Sequence, residues 1–242
     1  MNDPRKTAIV TGASQGIGAE IVKRFVERGF NVVASSRKVT QSTEVAASNQ
    51  VALVDGDIGE PATAARIVET ALSRFKSIDA LVNNAGIFFT KPFTDYTAED
   101  FKSLVSTNVE GFLYITQLSV KQMLAQKTGG SIVTITAALA RNPIRGVTAS
   151  VPMITKGGLE TITQHLAMEY AKEGIRVNAI APGTVYTPLH RLTPKDVMES
   201  LSPMGRPSTV KEIADAVMYL TDAATVTGHI LYVDGGAHFG NW

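Results

Sequence analysis

Seven short runs rich in β-branched and other apolar residues punctuate the 242-residue chain: TAIV (7–10), NVVAS (31–35), VALV (51–54), DALV (79–82), SIVTIT (131–136), RVNAIA (176–181) and ILYV (230–233). Longer stretches with helical patterning separate most of them. Runs that are apolar throughout read as strands buried on both faces, and strands alternating with helices form βαβ units. The order therefore predicts an α/β fold, a doubly wound parallel sheet with helices on both faces.

No linker, charge run or internal repeat divides the chain, and 44% of its residues are hydrophobic. Residues 1–242 are read as one domain around one large core. The 23 Lys and Arg against 22 Asp and Glu leave a net charge of +1, which argues against a nucleic-acid or anionic-membrane surface and for a small-molecule partner. Cysteine is absent, so disulfides, thiol nucleophiles and thiolate metal sites are excluded; no metal site is expected, and a reducing compartment fits. MNDPRKTAIV at the start is unlike a secretory signal, and no apolar run reaches the length of a membrane span. A cytoplasmic protein is the expectation.

Parallel sheets bind ligands at the carboxyl ends of their strands. After the first strand comes TGASQGIG (11–18), with Gly12, Gly16 and Gly18 leading into a helical pattern. Glycines let the backbone approach a pyrophosphate, and the helix start offers unpaired N–H groups, so the turn points to a dinucleotide. The second strand ends in SSRK (35–38). A carboxylate there would read the ribose 2′-hydroxyl of NAD(H). Ser36 and Arg37 suit a 2′-phosphate instead, and NADP(H) is expected in preference to NAD(H).

DGDIGEP (55–61), LVNNAGIF (81–88), STNVEGF (106–112), APGTVYTPLH (181–190) and TGHILYVDGG (227–236) stand in order behind the glycine-rich turn. Together these motifs resemble the short-chain dehydrogenase/reductase superfamily over essentially the whole chain. The resemblance implies a single-domain, Rossmann-like, seven-stranded sheet, a nicotinamide cofactor and a homotetramer or homodimer. It places Gly12, Ser14, Gln15, Gly16, Ile17 and Gly18 at the cofactor, with Asp57 and Ile58 at the adenine. Asn84, Ala85 and Gly86 support the sheet and admit the ribose. Asn108 would hold a water in the proton relay, satisfied core hydrogen bonding being the alternative. Pro182, Gly183, Val185 and Thr187 would clamp the nicotinamide, under a substrate loop at about 183–208. Lys156 would hold the nicotinamide ribose.

The chemistry departs from that pattern. The superfamily places a tyrosine four residues before the lysine and a serine after the fifth strand; here Pro152 and Ala137 occupy those positions, the latter preceded by Thr136. Proline is tolerated in a first helical turn, where its missing N–H has no intrahelical partner. That preserves the fold and leaves a proton without a carrier. His190 is the leading candidate, since imidazole titrates near neutrality; Tyr186, Ser150 and Thr155 are weaker ones. His165, His229 and His238 show no partner pattern and read as structural.

Two functions fit. One is an NADP(H)-dependent oxidoreductase acting on a small carbonyl or alcohol with a non-standard proton donor, using Lys156, Asn108 and His190. The other is a NADP(H)-binding protein with little or no catalysis, a redox sensor or partner subunit. The helical stretches 98–126 and 152–173 carry little charge, so a homo-oligomer built on them is expected.

Overall fold

The computed structural model describes residues 5–188 and 191–239. Seven strands, β1 (Thr7–Thr11), β2 (Asn31–Ser36), β3 (Val51–Asp55), β4 (Ala80–Asn83), β5 (Gly130–Ile135), β6 (Ile175–Pro182) and β7 (Ile230–Val233), form one sheet in the order β3-β2-β1-β4-β5-β6-β7. Every pairing is parallel. The order reverses between β1 and β4, the kind of switch point at whose carboxyl ends doubly wound sheets bind ligands.

Helices α1 (Gly16–Glu27), α2 (Pro61–Phe75), α3 (Ala98–Leu104), α4 (Gly111–Gln126), α5 (Ser150–Tyr170), α6 (Lys195–Ser200) and α7 (Val210–Asp222) complete the layers. Side chains alternate across a strand, and β1 shows the result. Ala8 and Val10 join a core with Ile21, Phe25 and Val217 on the side of α1 and α7. Ile9 joins Ile67, Ile115 and Met123 on the side of α2 and α4. Both faces are covered, as the continuous apolar runs require.

Two details depart from a regular alternation. The β2-to-β3 crossover holds only a 3₁₀ turn, Val39–Gln41, where a helix would normally lie. The stretch 98–126 is not one α-helix: a π-turn, Val105–Glu110, separates α3 from α4. Asn108 lies in that π-turn and is buried.

Candidate active site

The glycine-rich turn owes its path to close packing. Gly12 and Gly16 have φ of +63° and +60°, the left-handed region that favours glycine. A Cβ on Gly12 would stand 2.8 Å from the Ala85 Cα, and one on Gly18 would stand 2.2 Å from the Gly12 carbonyl oxygen. Asn84 locks this approach: its side-chain amide donates to the carbonyls of Thr11 at 2.9 Å and Gly12 at 3.0 Å. The Thr11 hydroxyl accepts from the backbone of Asn84 and Ala85. The end of β4 is thus sewn to the turn after β1.

Next to it, Gly86 lies under the side chains of Asn108 and Lys156. A Cβ there would be 3.2 Å from both Asn108 Oδ1 and Lys156 Nζ, so these residues of three separate elements converge on one point. Asn108 is held by the Ile87 backbone, accepting from its N–H at 2.9 Å and donating to its carbonyl at 3.1 Å. Its second N–H goes to the Thr155 hydroxyl at 3.0 Å. Both amide hydrogens are therefore spent on protein groups. Lys156 is buried, and its ammonium donates to the Ile135 carbonyl at 2.9 Å. Burial pushes its pKa down to about 8.

Pro152 is also buried and falls in the first turn of α5, which begins two residues earlier at Ser150. The first i→i−4 donor in this helix is Met153, whose N–H reaches the Ala149 carbonyl at 3.3 Å. Proline therefore removes no helical bond. Its own carbonyl accepts from Thr155 at 2.8 Å, which commits that hydroxyl to the fold. Ala137 is extended, at φ −162° and ψ 135°. Ser150 is exposed.

One residue escaped the sequence reading. Glu160 lies one turn beyond Lys156 on the Pro152 stripe, and it is buried. Its carboxyl meets the Thr136 hydroxyl at 3.1 Å and stands 3.8 Å from the Arg141 guanidinium. Desolvation pushes its pKa up against the opposing pull of Thr136 and Arg141. A carboxylate four residues after Lys156, on the same helical face, was the available signal.

The remaining expected positions spread around this centre. Asp57 is exposed and turns back to accept from the Gly59 N–H at 2.9 Å, while Ile58 is buried against Gly111. Gly183 passes so close to Asp234 that a Cβ would stand 2.9 Å from its Cα. Val185 is buried, and Thr187 with Pro188 borders Gly16. Tyr186, Thr187, Pro188, Arg191 and Met198 line a cavity of about 410 Å³. His190 lies outside the described residues. His165 and His229 are exposed. His238 does have a partner, contrary to the sequence reading: its Nδ1 is 2.9 Å from an Asp234 carboxylate oxygen, and its ring stacks on Tyr232 at 4.0 Å.

Among the described residues no cluster of three His, Asp or Glu could hold a metal, and no helix is long and apolar enough to cross a membrane.

A family model described as enoyl-(acyl carrier protein) reductase matches residues 12–238. The chain belongs to the short-chain dehydrogenase/reductase superfamily. Among its short-chain relatives, a glucose 1-dehydrogenase of Gluconobacter oxydans is 34% identical, over 96% of this chain and 91% of that protein. A 3-ketoacyl-(acyl-carrier-protein) reductase of Brucella melitensis, solved in complex with NADH, superposes with a TM-score of 0.87 at 31% identity, covering 96% and 98% of the two chains. ElxO, solved with NADP bound, gives 0.87 at 26% identity over 96% and 98%.

Proposed function

We propose that the chain is an oxidoreductase that moves hydride between NADP(H) and a small carbonyl or alcohol, with Lys156 and Asn108 at the reacting end. The observation that carries this reading is the convergence of Lys156 Nζ and Asn108 Oδ1 on Gly86, beside a turn in which Gly12 and Gly18 leave no room for a side chain. The residues fit a dinucleotide. Gly12, Ser14, Gln15, Gly16, Ile17 and Gly18 offer backbone at a helix start, Asp57 and Ile58 flank the adenine position, and Pro182, Gly183, Val185 and Thr187 border the nicotinamide position.

The Arg37 guanidinium is exposed and in no ion pair among the described residues. With Ser36 it suits a 2′-phosphate, and this supports NADP(H) over NAD(H). The cofactor supplies the hydride. The chain supplies the rest: Asn84 and Gly86 shape the floor, the Lys156 ammonium binds ribose hydroxyls, and the 410 Å³ cavity beside Thr187 admits a small substrate. Self-association through α4 and α5 belongs to the same reading, because Met168 and Ile154 on α5 are 82% and 59% exposed.

Pro152 and Ala137 replace the tyrosine and serine of the superfamily, so the proton comes from elsewhere. His190 remains the sequence candidate, with water held near Lys156 as the other. Pro152 also favours a second reading, a dinucleotide-binding sensor without turnover. Oxidation of NADPH across a broad panel of carbonyls separates the two: turnover supports the oxidoreductase, and binding without turnover supports the sensor.

A further inference from the structure

The shortened β2-to-β3 crossover carries residues 37–50 past the glycine-rich turn instead of into a helix. Several contacts fix that path. Val39 and Val45 are buried in the core on the α1 side. Thr40 binds Asp55 through its N–H at 2.9 Å and its hydroxyl at 2.5 Å. Ser42 donates its hydroxyl to the Ser14 carbonyl at 2.6 Å and accepts from the N–H groups of Glu44 and Val45.

Glu44 is thereby held against the turn, and its Oε2 accepts from the Gly16 N–H at 3.1 Å. Gly16 opens α1, and the residue before it, Gln15, makes no side-chain cap. A helix start with orphan N–H groups attracts an anion. The carboxylate 28 residues downstream supplies one. Glu44 forms no ion pair among the described residues. Its carboxylate thus occupies a backbone donor at the helix start, the kind of donor that holds a dinucleotide phosphate.

We propose that Glu44 is a carboxylate latch on the dinucleotide site, occupying the Gly16 donor and yielding it when cofactor phosphate arrives. The proposal rests on the dinucleotide reading above and adds a residue that sets affinity and cofactor choice. Like charges repel, so the latch weakens binding of any dinucleotide. NADPH brings a further phosphate toward Ser36 and Arg37 and is penalised most. The choice between NADPH and NADH is then set by a balance between Arg37, which favours NADPH, and Glu44, which opposes it.

Calorimetric titration of the full chain with NADPH and with NADH tests this, using Glu44→Gln and, as a control for lost charge elsewhere, Glu69→Gln. Glutamine keeps an acceptor for Gly16, so α1 stays capped. Glu44→Gln should bind NADPH about threefold to tenfold more tightly than the parent and gain less for NADH, while Glu69→Gln matches the parent. Equal affinities in parent and Glu44→Gln would overturn the latch and leave the dinucleotide reading intact. Weaker NADH binding in Glu44→Gln would also overturn it, because Glu44 would then be reading the ribose hydroxyls. A parent and variant that bind neither nucleotide would overturn the dinucleotide reading itself, and the latch with it.

Discussion

The side-chain amide of Asn108 donates to the hydroxyl of Thr155 at 3.0 Å, joining the π-turn between α3 and α4 to the first turns of α5. The same amide brackets the Ile87 backbone, so one residue aligns the end of β4 with the helix that carries Lys156. Replacing Asn108 by Ala leaves the Ile87 N–H and carbonyl without these partners. We expect a loss of about 2–4 kcal/mol in urea unfolding, and about 1 kcal/mol for Thr155→Val. Two variants of equal stability to the parent would show that the junction is held by other contacts.

Lys156 gives a pH signature. Its pKa falls from 10.5 unfolded to about 8 folded through burial. Below about pH 8 both states hold the proton, and folding carries the full cost of a buried ammonium, on the order of 3 kcal/mol. Between pH 8 and 10.5 only the unfolded state keeps it, so unfolding takes up a proton and this contribution to stability rises with pH. Lys156→Met should therefore be more stable than the parent near pH 7, with the advantage shrinking as pH climbs through that window. Parallel stability curves from pH 7 to 10 would contradict this.

Glu160 titrates with the opposite effect. The Thr136 hydroxyl has one hydrogen and sits 3.1 Å from both the Glu160 carboxyl and the Ile180 carbonyl. The Ile180 carbonyl can only accept, so a protonated Glu160 satisfies every partner at once. Its raised pKa adds stability that is whole below the ordinary glutamic acid value and is lost as pH rises through the folded value. Glu160→Gln mimics the protonated form. Its melting temperature should gain on the parent's as pH increases from 4 upward; a difference independent of pH would refute the assignment.

Met168 and Ile154 expose more apolar surface than α5 needs for the sheet. Light scattering should report a species larger than the 25.8 kDa monomer, and Met168→Glu should dissociate it without a matching fall in melting temperature. A parent that is monomeric at micromolar concentration would remove the oligomer from the account.

Arg37→Ala should erase most of the NADPH preference, a change of about tenfold to a hundredfold in relative affinity, since an arginine–phosphate bond contributes about 1.5–3 kcal/mol. Calorimetry on the parent and variant reads this ratio. An unchanged ratio would move the specificity determinant elsewhere.

All seven strands were legible because buried parallel strands need uninterrupted apolar runs, and the residues just beyond them were singled out because such sheets bind ligands there. The glycine-rich turn announced itself by spacing, and Lys156 through the superfamily resemblance alone. Glu44 did not, because its place beside Gly16 depends on the path of a crossover that lacks its helix, and no periodicity encodes that path. The π-turn around Asn108 was hidden for a related reason: one wider turn inside an apolar helix leaves the hydrophobic pattern almost unchanged. Glu160 stood on a readable stripe, yet its partner Thr136 comes from β5's end, 24 residues away.

The central claim is hydride chemistry at the site where Lys156, Asn108 and Gly86 meet, with Pro152 one helical turn before the lysine. Single-turnover oxidation of enzyme-bound NADPH, followed by absorbance while a panel of activated ketones, aldehydes and aldoses is added, tests it most directly. The account predicts oxidation with at least one carbonyl and its loss in Lys156→Ala. NADPH that binds tightly and stays reduced with every carbonyl, in parent and variant alike, would contradict it.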